Sequence, residues 1–259
     1  MQHTLEGVIL RQYKTETDRI LHILTAQHGV LTAYANGANK PRSALAASTE
    51  LLCYCSFVLF QNRDRYVVDK ADTIRIFFGI REDIERLALA SYIAQLSDEV
   101  CPHGVEAGGH LRLLLNTLHY IEREQRPRAL LKALFELRIL TLSGFMPNLV
   151  ACRECACYEA EVMYFSPGRG DLICGDCMKN ASGEQPGIPV PRGVLAAMRH
   201  IIYAPPERLF SFSLSEEGLS VLARAAEQYL THQVEKTFSS LEFYRGLIAT
   251  QQIAPPVER

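Results

Sequence analysis

The chain has 259 residues and a net charge of −2, with 48% hydrophobic and 22% charged residues. That length suggests two or three domains. The composition excludes a disordered chain, and the charge excludes a polybasic nucleic-acid binder, so any polyanion site must gather scattered cations onto one face. No apolar run approaches the ~20 residues that span a bilayer. The opening MQHTLEGVIL has neither a basic n-region nor a cleavable apolar block, so no secretory signal is expected. Eight cysteines without an export signal point to reduced thiols in the cytoplasm rather than to a disulfide framework. The only basic excess lies at the start, where residues 1–80 carry 9 Lys+Arg against 7 Asp+Glu.

The first 76 residues read as strands. Gly7–Tyr13, Arg19–Thr25, Val30–Ala35, Leu51–Gln61 and Tyr66–Ile76 are apolar, aromatic or alternating. The turn Gln27-His28-Gly29 marks a hairpin, Asn36–Ser43 (NGANKPRS) a loop, and Asn62–Arg65 a further turn. Five strands at this length suit a small closed barrel such as the OB-fold; a sandwich usually has more.

The pattern turns helical after Phe77. Arg81–Val100, His110–Glu124 and Arg128–Ser143 place apolar residues at helical spacing, and these three helices are expected to pack as a bundle. Glu82, Asp83 and Glu85 suit a helix N-terminus, Pro127 a helix start and Gly144 a helix end. Beyond a Gly/Pro/Ser-rich loop, Ala181–Pro191, helices are expected at Arg192–Tyr203, from a Ser213/Glu216 capping box to Val234, and at Ser239–Thr250. The tail IAPPVER is expected to fray.

Between these helical stretches lies Cys152–Cys177. Cys152/Cys155 and Cys174/Cys177 are two C-x2-C pairs separated by 18 residues, the spacing of a four-cysteine zinc site. Two such turns supply the edges of a tetrahedron, and four thiolates leave no position for water or substrate, so one structural Zn2+ is expected. The alternative is a set of buried cysteines acting as small hydrophobes. Cys157 offers a second register in place of Cys155. The expected architecture is α+β multidomain: an OB-fold barrel at 1–78, a helical bundle at 79–150, a four-cysteine zinc module at 151–180, and C-terminal helices at 190–250 packing on the helical domain.

No catalytic pattern stands out. There is no G-x-S-x-G elbow, Walker A loop, G-x-G-x-x-G after a strand or H-E-x-x-H, and the histidines are scattered. His22 reads as a core or rim residue of its strand. No enzyme is expected.

The order of these parts, together with EGVILRQYKTETDRILHILTAQHGVLTAYANGANKPRS at the start, Phe135-Glu136-Leu137-Arg138, Gly144-Phe145-Met146-Pro147 and YFSPGRGDLICGDC, resembles the bacterial recombination mediator family RecO. The likeness is strongest over residues 5–45 and 135–178 and architectural after Pro191. The chain departs from the family at Ala156, where Gly is common, at the extra Cys157, and in a loop after the third strand less basic than usual.

The resemblance implies a cytoplasmic, nucleoid-associated bacterial protein of DNA repair. It implies binding of single- and double-stranded DNA, annealing of complementary strands, contact with the C-terminal tail of single-strand-binding protein, and action with RecR to load RecA, with RecF a further candidate partner. An OB barrel suits this role, since bases stack on its face while cations track phosphates. The DNA-binding candidates are Lys14, Arg19, Lys40, Arg42, Arg63 and Arg65, with Arg192 and Arg199 as an extension; Lys40 and Arg42 lead because their loop is Gly-flanked. Arg128, Lys132 and Arg138 beside an apolar stripe are the candidates for the acidic peptide tail. A protein-binding zinc-ribbon adaptor ranks second and an enzyme third.

Overall fold

The computed structural model describes residues 2–63, 65–180 and 187–253. The described residues of Met1–Gln125 and Phe238–Arg259 form one compact unit, and those of Arg126–Thr237 a second.

In the first unit, strands β1 (Gln2–Lys14), β2 (Arg19–Thr25), β3 (Gly29–Ala35), β4 (Tyr54–Asn62) and β5 (Arg65–Arg75) close into a barrel in the order β1-β2-β3-β5-β4. Every neighbouring pair is antiparallel except β3 and β5, which run parallel with Ala33 opposite Tyr66. This is the expected OB-fold barrel. Alternation drives it: Leu21 and Ile23 of β2, Leu31, Ala33 and Ala35 of β3, and Phe57 and Leu59 of β4 all turn inward into one core. Each large side chain buried there contributes about 1.5–3 kcal/mol.

Two turns depart from the expected boundaries for backbone reasons. Leu51–Cys53 lies outside β4 because Leu52 sits at φ +65°, a left-handed conformation that breaks the run of a strand at a non-glycine residue; Leu52 N–H donates to the Ile9 carbonyl at 2.9 Å instead. Gly29, at φ +61°, begins β3, and a Cβ there would stand 2.0 Å from the Pro102 carbonyl oxygen. Only glycine fits. The expected turn Asn62–Arg65 includes Asp64, which lies outside the described residues.

The expected helix Arg81–Val100 is two pieces, α1 (Phe78–Arg81) and α2 (Ile84–Val100). Asp83 is extended and its carboxylate accepts from the Arg86 N–H at 2.8 Å, an N-cap that separates them. Helix α3 is Gly108–Arg123. The run read as one bundle is divided, because α4 (Arg128–Leu142) belongs to the second unit, where it packs on α6 (Arg192–Tyr203) and α7 (Glu216–Val234). Gly144, at φ +92°, follows α4 with Phe145 N–H reaching the Leu140 carbonyl and Gly144 N–H the Thr141 carbonyl, a Schellman ending.

The second unit also holds β6 (Met163–Ser166), β7 (Asp171–Cys174), the short helix α5 (Gly175–Asn180) and β8 (Ile188–Val190), its three strands ordered β7-β6-β8. The capping box expected at Ser213/Glu216 is displaced: Ser215 is the N-cap of α7, accepting from Gly218 N–H at 3.2 Å with Glu216 and Glu217 in the first turn. Helix α8 (Ser239–Ile253) returns to the first unit, where Phe238 packs edge-on against Tyr92 of α2 and the Ser240 hydroxyl donates to Gln95. Residues 181–186 of the expected loop and 254–259 of the expected fraying tail lie outside the described residues. Among the described residues no helix is long and apolar enough to cross a membrane.

Candidate nucleic-acid interface and metal centre

The loop after β3 is held by the turn between β1 and β2. Asn39 accepts from the Arg19 guanidinium at 2.7 Å and donates to the Thr15 and Asp18 carbonyls, while its own N–H reaches the Thr17 carbonyl. The Asp18 carboxylate accepts from Gly37 N–H at 2.7 Å. That bond, with a further one from Thr17 and the charge of Lys40, holds its pKa below the usual carboxylate value against the opposing effect of desolvation. The clasp presents Lys40 and Arg42 to solvent, Arg42 at φ +64°. Two of the leading cation candidates therefore stand on an ordered loop.

Arg19 does not belong with them. It is 6% exposed, pairs with Glu50 at 2.9 Å and donates to the Ala46 carbonyl and Thr49 hydroxyl. Its guanidinium satisfies carbonyls beneath the loop, so it positions the loop and has no face left for phosphate. Lys14 is exposed and shares Glu50 at 3.6 Å. Arg63 is exposed at the β4–β5 turn, and Arg65 lies over the Tyr34 ring, 5.4 Å from its centroid.

The barrel's outer surface carries a row that the charge-based search passed over. Tyr13 pairs in register with Ile20, Ile20 with Tyr34, Tyr34 with Val67, and Val67 with Phe60. Tyr13 and Phe60 are exposed, and Arg11 sits 4.7 Å over the Tyr13 ring. The alternation of β3 signals this: with Leu31, Ala33 and Ala35 inward, Tyr34 must face out. Aromatic rings flanked by guanidinium groups are a surface on which unpaired bases stack.

In the second unit the four cysteines converge. The Cys152, Cys155, Cys174 and Cys177 sulfurs all lie within 4.8 Å of one another, with Cys155 and Cys174 at 3.7 Å. A tetrahedron with metal–sulfur bonds near 2.3 Å has edges of roughly 3.8 Å, so the donor set fits a four-thiolate metal. The second knuckle aims backbone N–H groups at sulfur: Cys174 N–H donates to Cys152 at 3.3 Å and Cys177 N–H to Cys174 at 3.5 Å. Burial alone would raise the Cys152 thiol, but the backbone N–H groups of Cys155, Cys174 and Glu154 outweigh it and bring the pKa down to about 6. A sulfur ionised near neutrality is a ready ligand. Four sulfurs would close the shell of a bound ion, so the chemistry it would supply is structural.

Ala156, the residue after the first knuckle, sits at φ +58°, which explains why glycine suits that position. Ala156→Gly is expected to stabilise the full-length protein by about 0.5–1 kcal/mol, read from the denaturant midpoint. A lowered midpoint would show that the turn carries no strain.

Arg199 serves this knuckle rather than a DNA track. It donates to the Leu149, Val150 and Tyr158 carbonyls at 2.7–2.9 Å and stacks on Tyr158 at 3.9 Å, bridging the chain on both sides of the first cysteine pair. Arg192 is exposed at the start of α6. The three residues read as a rim for an acidic peptide sit otherwise than expected. Lys132 is 6% exposed, paired with Glu136 at 2.7 Å and Glu227 at 2.6 Å. Arg138 donates to the Ile201 and Ile202 carbonyls near the end of α6, and Arg128 is half-buried at the start of α4. The apolar run of α4 hid this, because Lys132 is buried among it and Arg138 turns to the carbonyls of α6.

An OB barrel and a second unit of helices carrying a four-cysteine centre able to hold a metal define an OB-fold protein with an internal cysteine module. Models of "Recombination protein O N terminal" and "Recombination protein O C terminal" match residues 1–77 and 81–242, and the chain belongs to the RecO family of DNA repair proteins. It is 33% identical over 242 residues to the DNA repair protein RecO of Acetivibrio thermocellus, covering 93% of this chain and 95% of that one. The RecO of Symbiobacterium thermophilum is 30% identical over 246 residues, covering 93% and 96%.

Proposed function

We propose that this protein is a non-enzymatic recombination mediator: it binds single- and double-stranded DNA on the barrel, anneals complementary strands, and with RecR helps load RecA onto DNA coated by single-strand-binding protein. The observation that supports this reading best is the clasped loop carrying Lys40 and Arg42, which leaves β3 at Ala35, next to Tyr34 of the outer row. Annealing requires strands held by their phosphates with bases free to pair, and no proton transfer or nucleophile. Lys14, Arg63 and Arg65 extend the phosphate contacts, and Arg11 joins them beside Tyr13. The four-thiol centre holds one zinc ion and organises the second unit. For the tail of single-strand-binding protein, Arg128 is the candidate contact, because Lys132 is paired inside the fold with Glu136 and Glu227 and Arg138 is engaged by backbone carbonyls of α6. RecF and a cytoplasmic, nucleoid-associated location complete the reading.

Annealing of complementary oligonucleotides followed by fluorescence tests the role. The rate should rise with protein and fall as salt is raised from about 50 to 200 mM, since each phosphate contact on a single strand contributes about 0.7 to the log–log salt slope. Rates equal to the protein-free reaction at low salt would favour an adaptor that reaches DNA only through a partner.

A further inference from the structure

One carboxylate from outside the barrel reaches the end of its outer row. Asp98 of α2, its side chain only 9% exposed, meets a side chain from β1 and another from β2. His22 Nδ1–H donates to Asp98 Oδ1 at 2.7 Å, while Arg11 Nη1 lies 3.7 Å from Oδ2. Arg11 and His22 stand opposite each other in the register of the two strands. The Arg11 guanidinium covers the Tyr13 ring at 4.7 Å, and that ring meets His22 edge-on at 5.8 Å. The four side chains thus close a ring of contacts at the Tyr13 end of the row that runs through Tyr34 to Phe60.

The two contacts to Asp98 are unequal. The one at 2.7 Å is a full hydrogen bond and the one at 3.7 Å is not. The Arg11 side chain is also 49% exposed, against 24% for His22. Arg11 is therefore the partner that leaves at little cost, since half-exposed ion pairs contribute little. Its departure does not orphan the carboxylate, because His22 stays on it. A carboxylate nine-tenths buried and without any partner would be strongly disfavoured. His22 thereby decides whether Arg11 is free to move. Movement of Arg11 does two things for a strand on the barrel: it brings a guanidinium fork to a phosphate, and it uncovers the Tyr13 ring for a base.

We propose that Arg11 and Tyr13 form a clamp for one nucleotide of a single strand, closed by Asp98 in the free protein and opened on binding. Asp98 holds Arg11 over the ring, and His22 is the positioning residue that keeps Asp98 satisfied while Arg11 turns to the phosphate. This deepens the reading of the barrel as the DNA-binding unit and rests on it.

The test follows the salt dependence of single-strand binding by anisotropy, on full-length protein carrying Arg11→Gln, His22→Phe or both. Arg11→Gln should flatten the log–log slope by about 0.7, the share of one phosphate contact. His22→Phe should flatten it equally, although that side chain contacts no phosphate, and the double variant should lose no more than either single one. An unchanged slope in a folded His22→Phe, or a loss of about 1.4 in the double variant, overturns the proposal. Absence of binding by the unsubstituted protein at low salt overturns the DNA reading and the clamp with it. Should His22→Phe fail to fold, Asp98→Asn decides. Released from the carboxylate, Arg11 should then hold the strand several-fold more tightly at an unchanged slope. Equal or weaker binding by Asp98→Asn overturns the exchange, because Asp98 would then not restrain Arg11 in the free protein.

Discussion

Cys174→Ser should empty the metal centre and unfold the module around it. The strands there are short, β6 and β7 with 4 residues each and β8 with 3, and their buried apolar side chains are Met163, Phe165, Leu172, Ile173, Ile188 and Val190. So small a core does not hold two knuckles in place alone. Structural zinc contributes about 10–16 kcal/mol of apparent binding free energy in comparable peptides. Cys174 is the sulfur on which the others converge, accepting from Cys177 N–H and lying 3.7 Å from Cys155, and no neighbouring cysteine stands in for it. Metal analysis after dialysis should fall from about one ion per chain to nearly none, with earlier proteolysis between residues 150 and 180. Full metal retention would contradict the four-thiol assignment. Chelation of the unsubstituted protein should reproduce the same proteolytic pattern.

Lys132→Met should cost about 3–5 kcal/mol. The ammonium lies between Glu136, whose side chain has no exposure, and Glu227, and removing it leaves a carboxylate charge inside α4's packed face. Burial by itself would depress the Lys132 pKa, but Glu136 and Glu227 outweigh that and leave it raised. The sign follows: a raised folded-state pKa contributes stability fully below the unfolded lysine value, near about 10.4, and loses it as pH climbs through the folded value. The contribution is complete at neutral pH. Lys132→Met with Glu136→Met should recover most of the loss, since a buried ion pair replaced by apolar groups of like volume is often neutral. Denaturant midpoints of the full-length protein check both. Equal midpoints for Lys132→Met and the unsubstituted chain would place this pair in solvent, contrary to the structure.

The barrel was legible because period-two alternation determines which side chains meet, and the cysteine centre because C-x2-C spacing determines which sulfurs meet. Both are local patterns. What could not be read was the fate of individual cations. Arg19 and Lys40 look alike in sequence, yet one is buried beneath the loop that exposes the other, and only the contact with Glu50, Thr49 and Asn39, far along the chain, separates them. Lys132 failed for the same reason, its partner Glu227 lying on α7. Division of the helices between two units was likewise hidden, because periodicity shows that a helix has an apolar face and not which helix covers it. Tyr34 was readable from β3 alone and was missed because charge rather than outward-facing rings guided the search.

The central claim is that DNA lies on the barrel beside the clasped loop. Fluorescence anisotropy with a labelled single strand, comparing Lys40→Glu/Arg42→Glu with the unsubstituted protein across a salt series, tests it most directly. Circular dichroism should be unchanged, since both side chains are exposed. Affinity should fall roughly tenfold or more at low salt, and the log–log slope should flatten by about 1.4 for two lost phosphate contacts. Unchanged affinity and slope in a folded variant would contradict the claim and move the DNA contact off this loop.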